Sequence, residues 1–375
     1  MAAVGPEPDT NTLPNAHQKG LTSIENSTAI ATNCRGAIMA KDTTTDTNRR
    51  QFVQAAGTAA ALVAAAAPMT ATAQAQPRPA PKTMGARFRE LMSGPEPLIC
   101  ANAYDTLTAR MIEVHGFKSV FVGSSATNLQ LVALPDQAIV TVSEIIDYDC
   151  VIAANLNIPV VADVDDFGAT PLNVYRFAKQ CERGGIACAA FDDRSPLNRA
   201  MGYAAPGVLP KAQMIDNIHA AADARTDMVL IARCLAPTPS GSTTEMLDRA
   251  AAYAEAGADL IWIGLRSADE YAKAADMIKK PLFAVIGGAN FPATPAALKA
   301  AKVAVGQTPP IVSIAMGAID KALAELKATG RMVEAQKGAV SRAMREKVEQ
   351  VEELDARARK YNLPKATALG SGAER

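Results

Sequence analysis

Residues 160–168 read VVADVDDFG. Val160, Val161 and Ala162 make a short apolar run of the kind that fills a strand buried on both faces. The run then meets Asp163, Asp165 and Asp166, and Gly168 closes the stretch. Asp163 and Asp165 stand two apart, so an extended backbone sends both side chains to the same side. Carboxylates held that close repel each other unless a cation stands between them. A hard divalent ion answers both charges: Mg2+, or Mn2+ in its place, takes one or two protein carboxylates and keeps waters or substrate oxygens in its other positions. One isolated aspartate there would be read as a helix cap or half of an ion pair. A second strand-like run, AAFDDR, ends the same way in Asp192 and Asp193, and two neighbouring acidic strand ends favour a metal.

Working outward, the same punctuation recurs along the chain. Apolar runs occur at 97–102, 118–123, 159–164, 186–191, 227–233, 259–264, 281–286 and 302–305. Amphipathic stretches such as TPLNVYRFAKQCERGG and EMLDRAAAYAEAGA lie between them and close on glycine or Gly-Ala, where a helix C-cap sits. Eight strand-plus-helix units predict an α/β fold, a (β/α)8 TIM barrel over residues 84–328, with a doubly wound open sheet as the alternative. Two further helical patterns, PPIVSIAMGAIDKALAELKATG and RMVEAQKGAVSRAMREKVEQVEELDARARKYN, exceed what a barrel needs. They predict extra C-terminal helices, with an extension over 329–363 that packs on a partner subunit, and no ordered structure for 364–375.

The chain has 375 residues, no net charge, 49% hydrophobic and 20% charged residues. That composition suits a globular protein with a large core and argues against nucleic acid as a partner, because phosphate binding needs a basic face. Six cysteines occur without a CxxC pair, and the four at 100, 150, 188 and 234 lie in or next to apolar runs and read as small buried hydrophobes. Three histidines, none at a strand end, argue against zinc. His115 and His219 are expected at a helix end and on a helix surface, and Trp262 in barrel packing. Arg194, Arg199 and Arg266 are candidates for contact with an anion at the mouth.

Residues 1–76 read as an export region. Arg49-Arg50-Gln51-Phe52-Val53 resembles a twin-arginine signal, and Ala55–Ala67 is weakly hydrophobic and too short to span a bilayer. Cleavage is expected at Ala71-Thr72-Ala73 or Ala73-Gln74-Ala75, and Met39 is an alternative start. The expected mature protein is periplasmic, of roughly 300 residues, with no stable membrane span after signal removal. Were the signal reading wrong, it would be cytoplasmic.

NAYDTLTARMIEVHGFKSVFVGSSA (102–126), LPD (134–136), VVADVDDFG, FDD (191–193) and IAR (231–233) together resemble, in order and spacing, the isocitrate lyase and phosphoenolpyruvate mutase superfamily over about residues 85–330. The resemblance implies a Mg2+-dependent barrel that makes or breaks a C–C or P–C bond beside a 2-oxo acid, through an enolpyruvate-like oxyanion. By position it assigns Asp163, Asp165, Asp136 and Asp192 to the metal shell, Asp192 replacing a glutamate and one methylene shorter. Ser124, Ser125 and Ala126 fall in the loop that holds the substrate carboxylate and oxyanion. Arg233 matches an arginine that faces the developing charge, and Tyr104 the tyrosine of NAYD. It also implies a homotetramer with an exchanged C-terminal helix.

The pattern breaks in three places. Where lyases of the superfamily carry a KKCGH-type loop, this chain has SPLNRAMGYAAPG, with Met201 at the cysteine position and Tyr203 at the histidine position. A thioether cannot transfer protons, which leaves Tyr203 or water as the acid. Gly264 replaces a glutamate, and AVIGG an Asn-x-Thr carboxylate binder. Two readings stay open: an active decarboxylase, hydrolase or lyase on a small 2-oxo acid, favoured by the retained Asp163, Asp165, Arg233 and Ser124; or a noncatalytic exported binding or scaffold protein, favoured by the lost loop acid.

Overall fold

The computed structural model describes residues 82–195, 207–235, 242–288, 291 and 293–363. The export region, Arg199, Met201, Tyr203 and the tail from 364 lie outside the described residues.

Each apolar run forms a strand: β1 Leu98–Ala103, β2 Ser119–Val122, β3 Val160–Asp163, β4 Cys188–Asp192, β5 Val229–Arg233, β6 Leu260–Trp262, β7 Leu282–Val285 and β8 Val303–Gln307. All pair in parallel with their sequence neighbours, and β1 pairs with β8, so the sheet closes on itself as an eight-stranded barrel. The helices among the described residues are α1 Met84–Met92, α2 Thr106–Val114, α3 Ser124–Val132, α4 Val142–Ala154, α5 Pro171–Arg183, α6 Lys211–Ala224, α7 Thr243–Glu255, α8 Ala268–Ile278, α9 Pro295–Ala300, α10 Val312–Thr329, α11 Val333–Gln336, α12 Arg342–Val348 and α13 Val351–Lys360.

Strand alternation divides the core in two. Outward residues such as Val160, Ala162, Ala189, Leu230 and Ile261 pack on the helices, while Cys100, Phe121, Val161, Ala190, Ile231, Trp262 and Phe283 fill the barrel. Phe121, Trp262 and Phe283 form an aromatic centre with ring centroids 4.9–5.8 Å apart. Phe88 of α1 closes the end where the strands begin. Gly85 permits that approach, because a Cβ there would meet the Asp227 carbonyl oxygen at 2.5 Å.

The C-terminal region departs from the sequence reading. The second helical pattern breaks into α11, α12 and α13, since Gly338 interrupts it and Gln350 takes a left-handed φ of 55°. Among the described cysteines none is paired; four are buried and Cys150 is partly so. His115 caps α2, and His219 is exposed on α6. No helix of the described residues is long and apolar enough to cross a membrane.

Candidate active site

Alternation places one inward layer at the strand ends: Asn102 of β1, Asp163 of β3, Asp192 of β4, Arg233 of β5 and Gln307 of β8 follow Cys100, Val161, Ala190, Ile231 and Val305 at a spacing of two. Register aligns Asp192 with Arg233, and Arg233 with Trp262. A cavity of about 220 Å³ opens over this layer, lined among others by Ser124, Ser125, Asp136, Asp163, Arg194 and Arg233.

Arg233 Nη1 lies 3.6 Å from Asp163 Oδ2, and its guanidinium sits 4.0 Å above the Trp262 ring. The indole holds the arginine flat at the mouth, an attraction of roughly 1 kcal/mol or more where water is scarce. Trp262 therefore does more than the packing expected of it. It also orients the cation that faces the cavity.

Asp165 reaches the cluster by a route that alternation does not describe. It stands beyond the end of β3 with a φ of 55°, and Phe167 and Ala169 are left-handed too. Its carbonyl accepts the Asp192 amide at 2.8 Å, tying the two acidic ends together. Left-handed backbone is tolerable for aspartate but costs a buried phenylalanine on the order of 1 kcal/mol, which the buried Phe167–Phe191 contact (5.3 Å) helps offset. Asp136 approaches from the segment between α3 and α4, its Oδ2 3.4 Å from Ser124 Oγ and 3.6 Å from Arg194 Nη2. The same Nη2 is 3.8 Å from Asp165 Oδ1.

Ser124 and Ser125 begin a helix, not a loop. Gly123 is the N-cap of α3 and offers no side-chain cap, so first-turn amides and the positive end of the helix dipole remain for an anion. The Ala126 amide is spent on the Gly123 carbonyl at 3.0 Å, which removes the backbone donor expected of it. Tyr104 does not line this cavity; it is half-buried, and its carbonyl accepts from Tyr148 Oη at 3.1 Å.

Burial dominates the electrostatics. It pushes the Asp163 carboxyl up against the pull of Arg233, with Asp136 adding to the rise. Asp192 is pushed up to about 7 by burial, although Arg233 and Arg194 oppose it. Asp163 Oδ1 and Asp192 Oδ2 are buried with no hydrogen-bond partner. Behind them on α4, Asp149 is fully buried and neither oxygen is hydrogen-bonded; Thr127 stands near without bonding geometry. Burial, then Asp163 and Asp165, raise Asp149 well above the usual carboxylate range.

These residues fit a hard cation in kind: oxygen donors, one of them an orphaned oxygen on the cavity-lining Asp163. They do not form an all-protein cage, since among the described residues no three acidic, histidine or cysteine side chains converge on one point. That suits Mg2+, which needs only one or two carboxylates and keeps waters.

Sequence reasoning missed Asn102, Gln307 and Asp149. Asn102 Nδ2 donates to Gln307 Oε1 at 3.0 Å across the β1–β8 seam, and both line the cavity. Reading the eighth strand as 302–305 stopped two residues short of Gln307. The signal for Asn102 was its place two residues beyond inward Cys100.

Comparison with known proteins bears on the family and the fold. The phosphoenolpyruvate phosphomutase family model matches residues 88–359. The chain belongs to that family, within the isocitrate lyase and phosphoenolpyruvate mutase superfamily. An oxaloacetate decarboxylase of Pseudomonas putida (strain GB-1) is 32% identical over 204 residues, 54% of this chain and 70% of the relative. A structure of oxaloacetate acetylhydrolase with the inhibitor 3,3-difluorooxalacetate superposes with a TM-score of 0.68 at 25% identity, covering 75% of this chain and 98% of that one. Phosphonopyruvate hydrolase with oxalate and Mg2+ shares the fold at a TM-score of 0.65 and 24% identity, covering 75% and 100%. The family relatives are thus lyases and hydrolases of 2-oxo acids, which supports an enzyme.

Proposed function

We propose that this chain is a Mg2+-dependent enzyme that cleaves the bond between the carbon alpha to the carbonyl of a small 2-oxo acid and its distal substituent, acting as a decarboxylase with oxaloacetate as the first candidate substrate. The observation that carries the reading is Arg233, fixed over Trp262 and facing Asp163 in a cavity of about 220 Å³. That volume is below the roughly 300–1,000 Å³ of pockets for drug-sized ligands, so it suits a four-carbon diacid.

The amides of Ser124 and Ser125 and the Ser124 hydroxyl bind the 2-oxo carboxylate. Arg233 faces the carbonyl oxygen. When the distal carboxylate leaves as CO2, the electron pair of the broken C–C bond passes into the enolate, and the oxyanion develops against the guanidinium, a contact worth several kcal/mol in a water-poor site. A proton then returns to the carbon, from water or from Tyr203. When bound to Asp163 and Asp165, with Asp136 and Asp192 near, Mg2+ supplies a further positive charge to that oxyanion. Mn2+ would serve in its place.

The test is pyruvate release from oxaloacetate, phosphonopyruvate, methylisocitrate and dimethylmalate with Mg2+, measured above the uncatalysed rate. Oxaloacetate turnover that disappears in Arg233→Ala supports the reading. Turnover of another substrate moves the assignment to a hydrolase or lyase. No turnover together with no Mg2+ binding would leave a binding or scaffold protein.

We propose further that the mature chain is a periplasmic homotetramer. Arg49-Arg50 and the alanine-rich stretch support export; N-terminal sequencing of periplasmic protein tests cleavage. Ile314, Met316, Ile319 and Leu323 of α10, each more than half exposed, support burial against another copy, and light scattering tests the mass.

A further inference from the structure

Arg194 sits where a mouth residue is not expected to sit. Its side chain is only 6% exposed, and the one Nη2 nitrogen lies 3.6 Å from Asp136 and 3.8 Å from Asp165. The backbone holds it there: its amide donates to Asp192 Oδ1 at 3.1 Å, and the residue makes an antiparallel bridge to Val208. The guanidinium thus lies between two of the carboxylates assigned to the metal, and no three acidic groups of the described residues converge on one point. Asp163 Oδ1, 5% exposed as a residue and lining the same cavity, remains without a hydrogen-bond partner.

We propose that Arg194 is a built-in counter-cation of the acidic cluster that competes with the divalent ion, so that Mg2+ enters only as the guanidinium gives up Asp136 and Asp165. The inference rests on the Mg2+ reading above and adds a control to it. A guanidinium and Mg2+ cannot share the same carboxylate oxygens at close range, because two cations so near repel with little solvent between them. Without metal, Arg194 neutralises carboxylates whose burial would otherwise oppose folding. With metal, the guanidinium, which already lines the cavity, turns away from the two carboxylates, and its released charge faces an anionic substrate. Occupancy of the ion and placement of a second cation for the substrate are then one event. The resulting Mg2+ affinity is lower than the same carboxylates would give alone.

Calorimetric titration of the wild-type chain and of Arg194→Gln with Mg2+, and with Mn2+ as a second probe, tests this, with thermal melts of each form. Arg194→Gln is expected to bind Mg2+ at least tenfold more tightly, about 1.4 kcal/mol. Its metal-free form should melt lower than wild type, and it should gain more from saturating Mg2+. Arg194→Lys, whose single ammonium cannot span two carboxylates as a guanidinium does, should fall between the two and serves should glutamine impair folding. Equal or weaker binding by both variants, with clear binding by wild type, overturns the competition and leaves the Mg2+ reading standing. Binding by Arg194→Gln alone supports it in its strongest form. No binding by any of the three overturns the Mg2+ reading and this inference with it.

Discussion

The two ends of the barrel use the same residue type in opposite ways. Where the strands begin, Asp259 accepts from Arg89 Nη1 at 2.8 Å, from Arg225 and from the Leu230 amide at 2.9 Å. Burial works against its ionisation, yet the two arginines hold the carboxyl below its ordinary range. Glu182 at that end accepts the amides of Thr226, Asp227 and Met228 at 2.6–3.0 Å, and these bonds outweigh its partial burial and lower it. Where the strands end, Asp163, Asp192 and Asp149 are more deeply buried and are pushed up instead, and oxygens on all three go without hydrogen bonds. Acids at the closed end are satisfied by the protein itself and serve stability. Acids at the open end are left to be satisfied by something that arrives, which is the division of labour expected of this architecture.

The sharpest way to break that contrast is at the open end. Asp165→Asn is expected to lower the rate of pyruvate release about 1,000-fold while circular dichroism and the melting profile show the fold retained; an unchanged rate would remove the metal from the proposal. At the closed end the sign of the effect reverses. Asp259→Asn should cost about 3 kcal/mol in urea unfolding, since it leaves two arginines without their counter-charge, and should leave activity per folded molecule unaltered. A smaller loss, about 1.5 kcal/mol, is expected of Glu182→Gln. Because the folded protein holds Glu182 below its unfolded pKa, that contribution is present above the unfolded value and disappears as pH falls through the folded one. The variant should therefore show a flatter acid limb in stability against pH.

Asp149 supplies the smallest and opposite change. Replacing a buried acid whose oxygens lack partners with an apolar side chain, Asp149→Val, should raise stability by about 1 kcal/mol in the absence of divalent ions. Its folded pKa is raised, so the folded state keeps a proton that the unfolded chain releases. Wild-type stability should accordingly fall as pH rises from about 4, the unfolded value. Denaturation series at several pH values would show that fall reduced in Asp149→Val; an identical slope in both proteins would refute the assignment.

Much of this was legible in residue order. The eight apolar runs, their helical spacers and the carboxylates at the third and fourth strand ends all follow from patterns that a few consecutive residues carry. Boundaries were less legible, and ending the last strand at 305 hid Gln307. The turn after β3 could not be read by alternation, because left-handed residues at 165, 167 and 169 reset the direction of every side chain that follows.

By itself the sequence pointed to the barrel, with an open sheet as the alternative, since the periods of two and of about 3.6 are local properties of the chain, and it set Asp163, Asp192 and Arg233 at the ends of the third, fourth and fifth strands. Tertiary structure alone decided which charges meet. Arg194 beside Asp136 and Asp165, Arg233 over Trp262, Asn102 against Gln307 and Asp149 behind Asp163 and Asp165 each join residues from separate segments. The physical reason is that a carboxyl's charge state depends on desolvation and on neighbours brought close by packing, and neither quantity is written in the residues adjacent along the chain.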